Sequence, residues 1–334
     1  MRKIFLSLLF AISLYGEDNK INVEVYTLEN GMTVILNEDH NESSVFGAIA
    51  VKGGGKQDPE DATGIAHYLE HMLFKGTPEL GTVDYETEKI FLDSIEILYD
   101  QLGTISNTDQ RLSIQKTIND LNIEAAKYAI PNEFDRLVES IGGTGVNAFT
   151  NDDMIVYISS FPGHQINKWL DINSHRFVKP VFRLFQSELE TVYEEKNRAM
   201  DNMFRKLVED YLSNFFRKHP YGQQTVIGTV EHLKNPSLSK MKEYYETYYV
   251  ANNMYLFLSG DFDINGLKEK IEQTFGQLKS GPDPSFVNIQ EDPFQGREVV
   301  SRRLTPIRIG VIGFRIPNPR HEDYETLKVI QNLF

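Results

Sequence analysis

Gly64-Ile65-Ala66-His67-Tyr68-Leu69-Glu70-His71-Met72-Leu73-Phe74-Lys75-Gly76-Thr77 is the stretch on which the reading of this chain turns. It reads as a helix from about Gly64 to Phe74. His67 and His71 are four residues apart, so both imidazoles leave one helical face a turn apart and can reach one ion. Glu70, three residues after His67, flanks that face without replacing either histidine. Such a helix can present two zinc ligands and a carboxylate poised to take a proton from water at the metal. A histidine pair on a surface helix is often no more than solvated polarity. Here Tyr68, Leu69, Met72, Leu73 and Phe74 make the helix largely buried, and buried imidazoles and carboxylates need partners. A metal ion supplies all three at once.

Upstream, Val23 to Leu28 and Met32 to Asn37 read as strands around a turn at Glu29-Asn30-Gly31, because Asn-Gly between apolar runs signals a hairpin. Val45 to Val51 is a third strand, broken by Gly53-Gly54-Gly55, and Asp58 to Thr63 leads into the histidine helix. Downstream, 84–102 and 109–128 have the apolar spacing of two amphipathic helices, with Gly103 to Thr108 as the turn between them. Gly142 to Gly145 opens a break before a strand pair, Val146 to Thr150 and Met154 to Ser159. Helices are expected at 165–177, 183–215 and 237–248, a buried strand at Met254 to Ser259, and a helix at 264–275.

Residues 281–297 have linker composition, with Gly281, Pro282, Pro284, Pro293 and Gly296. Beyond them, strands at 298–304 and 307–316 and a helix starting near Asp323 repeat the order seen at 32–74, without its histidines. The expected organisation is a metal-bearing domain over 21–280, a linker, and the incomplete start of a second homologous domain over 298–334.

The chain has 334 residues, of which 40% are hydrophobic and 25% charged, as in a globular protein. A formal net charge of −14 argues against nucleic acid, whose phosphates call for clustered Lys and Arg. The bland meaning of that charge is solubility; the sharper one is an acidic cavity for basic peptides. There is no cysteine, which excludes disulfides, thiolate metal sites and cysteine nucleophiles. Arg2 and Lys3 precede an apolar run from Ile4 to Leu14, the layout of a secretory signal peptide over residues 1–16. The expectation is export, to the periplasm or medium if the source is bacterial, with a membrane anchor as the competing reading if the leader is uncleaved. No later segment is apolar enough to cross a membrane.

His67-x-x-Glu70-His71 is the inverted zinc motif, H-x-x-E-H, of the inverzincins. The whole stretch from Gly64 to Thr77 resembles the pitrilysin/insulinase/mitochondrial processing peptidase family, and the resemblance runs from about residue 21 to the end. That family takes its third zinc ligand from a glutamate on a later helix, seven residues after another glutamate. Glu188-Leu189-Glu190-Thr191-Val192-Tyr193-Glu194-Glu195 has this spacing, so the resemblance implies Glu195 on zinc and Glu188 behind it, orienting a ligand. Glu194 is the rival, turned about 100° from Glu195 on the helix. Asn147-Ala148-Phe149-Thr150 is similar to the family's edge strand, where an extended peptide adds to the sheet. Two departures stand out: Leu189 replaces an arginine common in relatives, and a helical pair at roughly 84–131 is inserted between the motif halves.

The resemblance implies an α+β fold of antiparallel sheet with helices packed on one face, in two homologous halves. It implies a Zn²⁺-dependent endopeptidase acting on peptides or unfolded segments, with Glu70 as general base and a second homologous half or subunit as partner. The alternative is a non-catalytic partner subunit of the same family. The S-ribosylhomocysteine lyase class shares the inverted motif but uses cysteine, and this chain has none. His40, His164, His175, His219, His232 and His321 lack a partner histidine at ligand spacing and read as structural or exposed. Gly53-Gly54-Gly55-Lys56 is not followed by Ser or Thr as a phosphate loop would be. Trp169 and the tyrosines near 244–249 read as core.

Overall fold

Along Ser44–Lys52, Val45, Gly47, Ile49 and Val51 are buried while the residues between them are more exposed, the period-two pattern of a strand with one covered face. This strand is β3 in a computed structural model that describes residues 23–332, except 287, 305 and 306. The leader expected at 1–16 lies outside the described residues. The other strands are β1 (Val23–Thr27), β2 (Thr33–Glu38), β4 (Thr144–Thr150), β5 (Met154–Pro162) and β6 (Met254–Gly260).

They form one six-stranded sheet in the order β1-β2-β6-β3-β5-β4. Four of the five neighbouring pairs are antiparallel, as the sequence suggests, and β2–β6 is parallel. A parallel pair requires a long crossover, and here most of the fold lies between the two strands.

The helices are α1 (Ile65–Met72), α2 (Tyr85–Thr104), α3 (Thr108–Ala126), α4 (Glu133–Ser140), α5 (Ile166–Val178), α6 (Phe185–Asp201), α7 (Met203–Phe215), α8 (Pro220–Gln223), α9 (Val230–Lys234), α10 (Leu238–Tyr248), α11 (Ile264–Phe275) and α12 (Tyr324–Gln331). Among the described residues no helix is long and apolar enough to cross a membrane.

The core lies between one face of the sheet and the helices. Leu36, Ile49, Leu256 and Leu258 from the sheet are fully buried, as are Leu69 of α1, Leu170 of α5 and Ile271 of α11. On the opposite face Val25 is 59% exposed and Phe46 is 40% exposed, so the helices cover one side only. Gly47 makes close packing possible there. A Cβ at that position would sit 2.4 Å from the Trp169 ring, so glycine lets the indole lie flat on β3. Trp169 stacks on Phe161 at 4.8 Å and donates its N–H to Ser159 Oγ at 2.7 Å. Removing such a fully buried side chain typically costs ~3–5 kcal/mol.

Three local expectations are corrected. The helix read at 183–215 is two, because Asn202 turns extended (ψ 108) and its side chain accepts from Arg205 N, ending α6 and capping α7. The sequence reading has no helix where the short α4, α8 and α9 stand. Residues 298–304 and 307–316 form no strand among the described residues. Their apolar side chains, such as Ile312 (84% exposed) and Phe314 (81%), have no sheet beside them. The segment instead leans on α7, where Arg315 donates to the Phe215 carbonyl at 2.7 Å and lies 4.3 Å over the Phe294 ring.

Candidate metal centre

α1 begins under constraint. Gly64 has φ +93, and a Cβ there would meet the Gly228 backbone at 2.9 Å. Asp58 then receives the free N–H groups of the first turn, Gly64 N at 2.6 Å and Ala66 N at 2.9 Å. His232 Nδ1 accepts from Thr63 N at 3.0 Å, fixing the residue before the helix. These contacts set where α1 points, and hence where its histidines lie.

His67 and His71 pack edge to face with ring centroids 4.8 Å apart. Glu195 comes from α6, and its Oε2 lies 3.6 Å from His67 Nε2 and 3.7 Å from His71 Nε2. Ligand bonds of about 2.0–2.1 Å on a tetrahedral ion put neighbouring ligand atoms roughly 3.4 Å apart. The three donors therefore surround a gap of zinc size, and all lie within 4.8 Å of one another. Two imidazoles and a carboxylate are also the donor set that zinc accepts. Glu194 is turned to solvent and pairs with Arg198 at 3.4 Å, so Glu195 is the carboxylate that faces the histidines.

Glu188, two turns before Glu195, sits 2.8 Å from His71 Nδ1 and pairs through its other oxygen with Lys75. Accepting the Nδ1 proton leaves His71 Nε2 with its lone pair toward Glu195. Burial pulls the His71 pKa down, but the Glu188 bond and the carboxylates of Glu195, Glu188 and Glu70 outweigh it, and the net shift is upward. His67 goes the other way: burial, then the charges of His71 and Arg205, push it to about 3. It is a neutral imidazole, the form that binds metal. Burial also pushes up the Glu188 carboxyl, but His71 and Lys75 overcome it and hold it below the usual range.

Glu70 is buried, and Thr150 Oγ1 donates to its Oε2 at 2.5 Å. Burial raises the Glu70 pKa against that hydrogen bond. Thr150 ends β4, the sheet's outer strand next to α1. Asn147, Ala148 and Phe149 precede it and line a cavity of about 760 Å³ that contains His67, Glu70 and His71. Phe149 is 45% exposed, and among the described residues β4 pairs only with β5, which leaves its outer edge without a sheet partner there.

The family model "Insulinase (Peptidase family M16)" matches residues 33–89 and 110–229, more than half of the chain. The chain belongs to the insulinase family. Within that family model the unmatched residues 90–109 are most of α2 and the turn into α3, part of the helical pair read as an insertion. A second model, "Peptidase M16 inactive domain", matches residues 237–334. Part of that match, β6 and α11, is built into the same sheet and core as α1.

Among insulinase-family proteins, the chain is similar to an uncharacterised zinc protease of Bacillus subtilis, YmxG, at 22% identity over 93% of this chain and 63% of the relative. Its fold is similar to a protease from Helicobacter pylori, with TM-score 0.61, 22% identity, and 80% of this chain covering 53% of that one. It is also similar to the first half of the periplasmic protease PqqL from Escherichia coli, with TM-score 0.60, 18% identity, and 80% covering 48%. The chain thus spans between about half and two-thirds of the length of the proteins it matches.

Three residues that shape this insulinase-family site had no such role in the sequence reading: Asp58, Lys75 and Thr150, the last named there only as part of the edge strand. Lys75 lies four residues after His71, and an acid shortly before a helix start is a capping signal, so two of them had a local sign. The contact of Thr150 with Glu70 is made across the fold and had none.

Proposed function

We propose that this chain is the metal-bearing part of a zinc-dependent endopeptidase that cuts peptides or unfolded segments. One observation carries the reading: two imidazoles and a carboxylate converge around a gap of zinc size, with a buried glutamate beside them and an open strand edge within the same cavity. His67, His71 and Glu195 would hold the ion. When bound, zinc would polarise the scissile carbonyl and make water at the site more acidic.

The chain's own groups do the rest. Glu70 accepts a proton from the attacking water and returns it to the leaving nitrogen, and Thr150 holds its carboxylate in place. Glu188 keeps His71 in the tautomer that offers Nε2. The outer edge of β4, at Asn147, Ala148 and Phe149, offers backbone groups that align an extended substrate. We read residues 21–280 as the metal-bearing domain, 281–297 as linker and 298–334 as the start of a second homologous domain. That second half, or a homologous subunit, is the expected partner. Export rests on the leader pattern at 1–16, and the Escherichia coli neighbour is itself described as periplasmic.

The second reading is a non-catalytic partner subunit, favoured by the match of residues 237–334 to a model described as an inactive domain. The test is zinc content together with hydrolysis of an unfolded substrate, for the natural chain and for Glu70→Gln. The amide should keep the metal and lower turnover by about 10²–10⁴-fold. A natural chain that binds zinc but cleaves nothing, alone or with a homologous half, is the partner subunit instead.

A further inference from the structure

Two cavities meet at the metal centre and share His67, Thr150 and Glu195. They differ in charge. The one that follows β4 has Asp135 and Glu139 on its wall, neither with an ion-pair partner among the described residues. Its lysine, Lys75, is already committed to Glu188. The other, of about 610 Å³, lies past Thr150 and has Arg198, paired with Glu194, and Arg205 on its wall, with Asp152 and the shared Glu195 as opposing charges.

Arg205 is the better placed of the two arginines. Arg198 is 79% exposed, whereas Arg205 is 41% exposed and close enough to His67 for its charge to be felt there. Its Nε is held by Glu209 at 3.2 Å, and its two terminal amino groups have no hydrogen-bond partner among the described residues. A guanidinium anchored at one nitrogen and free at two is prepared to grip a carboxylate in two-pronged fashion.

Building on the peptidase reading, we infer that Arg205 is a specificity residue, selecting an acidic side chain on the N-terminal side of the cleaved bond. The direction follows from β4. It runs from the acidic cavity at Thr144 to the arginine cavity at Asn151. A peptide added in the commoner antiparallel sense runs the other way. Its residues before the cleaved bond enter the arginine cavity, and those after it lie along Asp135 and Glu139. The same acidic side chain is therefore welcomed before the bond and repelled after it.

The experiment uses the full chain with zinc and a set of unstructured peptides that differ by a single Asp, Asn or Lys placed before or after one cleavable bond. Binding is read by fluorescence anisotropy on the Glu70→Gln variant, and cleavage positions on the natural chain by mass spectrometry. Asp before the bond should bind about 10-fold tighter than Asn, the size expected of one charged hydrogen-bonded contact. Arg205→Gln, with an unchanged unfolding midpoint, should erase that preference, and Arg205→Lys should restore part of it. Equal binding of the Asp and Asn peptides, or a preference that survives in Arg205→Gln, overturns this inference alone. A chain that binds none of the peptides overturns the peptidase reading, and the inference with it.

Discussion

Arg183 Nε donates to Glu88 Oε1 at 2.9 Å, and both side chains are out of contact with solvent. The remaining N–H groups of Arg183 go to Glu88 and to the carbonyls of Lys75, Thr77 and Leu80. One guanidinium thus ties the loop leaving α1 to α2, two residues before α6 begins. Arg183→Met should cost about 3–5 kcal/mol, because it leaves Glu88 buried and unpaired. Arg183→Met with Glu88→Leu should recover much of this loss. Urea unfolding of the three proteins measures it, and a single variant within 1 kcal/mol of the parent would show the pair to be dispensable.

The carboxylate that caps α1 gives stability a pH dependence. Burial pushes the Asp58 carboxyl to about 8, against the pull of the backbone N–H groups of Ala66, Gly64 and Ile65. Between about pH 4 and pH 8 the folded chain holds a proton there that the unfolded chain has released. Stability from this group therefore falls as pH rises through that window, by at most about 1.4 kcal/mol per unit, and levels off above it. Asp58→Asn lacks the titration, so its stability relative to the parent should improve from pH 5 to pH 8. The opposite trend would mean that the backbone donors keep Asp58 ionised in the fold.

Metal affinity separates the neighbouring glutamates. Glu195→Ala should weaken zinc binding by more than the roughly 100-fold that loss of an outer contact costs, whereas Glu194→Ala leaves it nearly unchanged. Competition against a chromophoric chelator measures both. Sensitivity at Glu194 would place the wrong face of α6 toward the histidines.

Glu188 acts through His71. Glu188→Gln keeps the volume and an acceptor but loses the charge shared with Lys75, and zinc affinity should fall by about 10–100-fold. Lys75→Met should give a smaller loss in the same direction. Zinc affinity equal to the parent in Glu188→Gln would reduce the contact to packing.

Zinc should also stabilise the fold by mass action. Free zinc at 100 times its dissociation constant adds about 2.7 kcal/mol to unfolding. A zinc-dependent rise in melting temperature that persists in His67→Ala with His71→Ala would assign the effect to another site.

The histidine pair could be read from the sequence because its information is local: a four-residue spacing on a helix with apolar neighbours. Glu195 needed a family spacing as well, since nothing in residues 188–195 alone says that α6 lies against α1. Strand and helix identities up to residue 278 followed periodicity, apart from α4, α8 and α9, which are too short to give a periodic signal. The break at Asn202 was hidden because asparagine either continues or caps a helix, according to its surroundings. Asp58 carried only the local sign of an acid before a helix start, and Arg183 was invisible because its partners are backbone carbonyls and a carboxylate 95 positions away. Residues 298–316 show the converse: β-type alternation specifies a strand only when an edge is there to receive it.

The sheet order has a consequence for biosynthesis. Among the described residues β6 is the last strand in sequence order, yet it sits inside the sheet, between β2 and β3. A chain still emerging from the ribosome has no strand to put between them until Gly260 has been made, about 190 residues after His71. At a synthesis rate of about 5–20 residues per second this is a delay of roughly 10–40 s. Throughout it α1 has no finished sheet to pack on, and α6 is not held where Glu195 meets the two imidazoles. While it is being translated, a chain of this design carries the two histidines without the assembled constellation around them. Its metal pair is encoded early and becomes a site only once a strand encoded much later has closed the sheet beneath it.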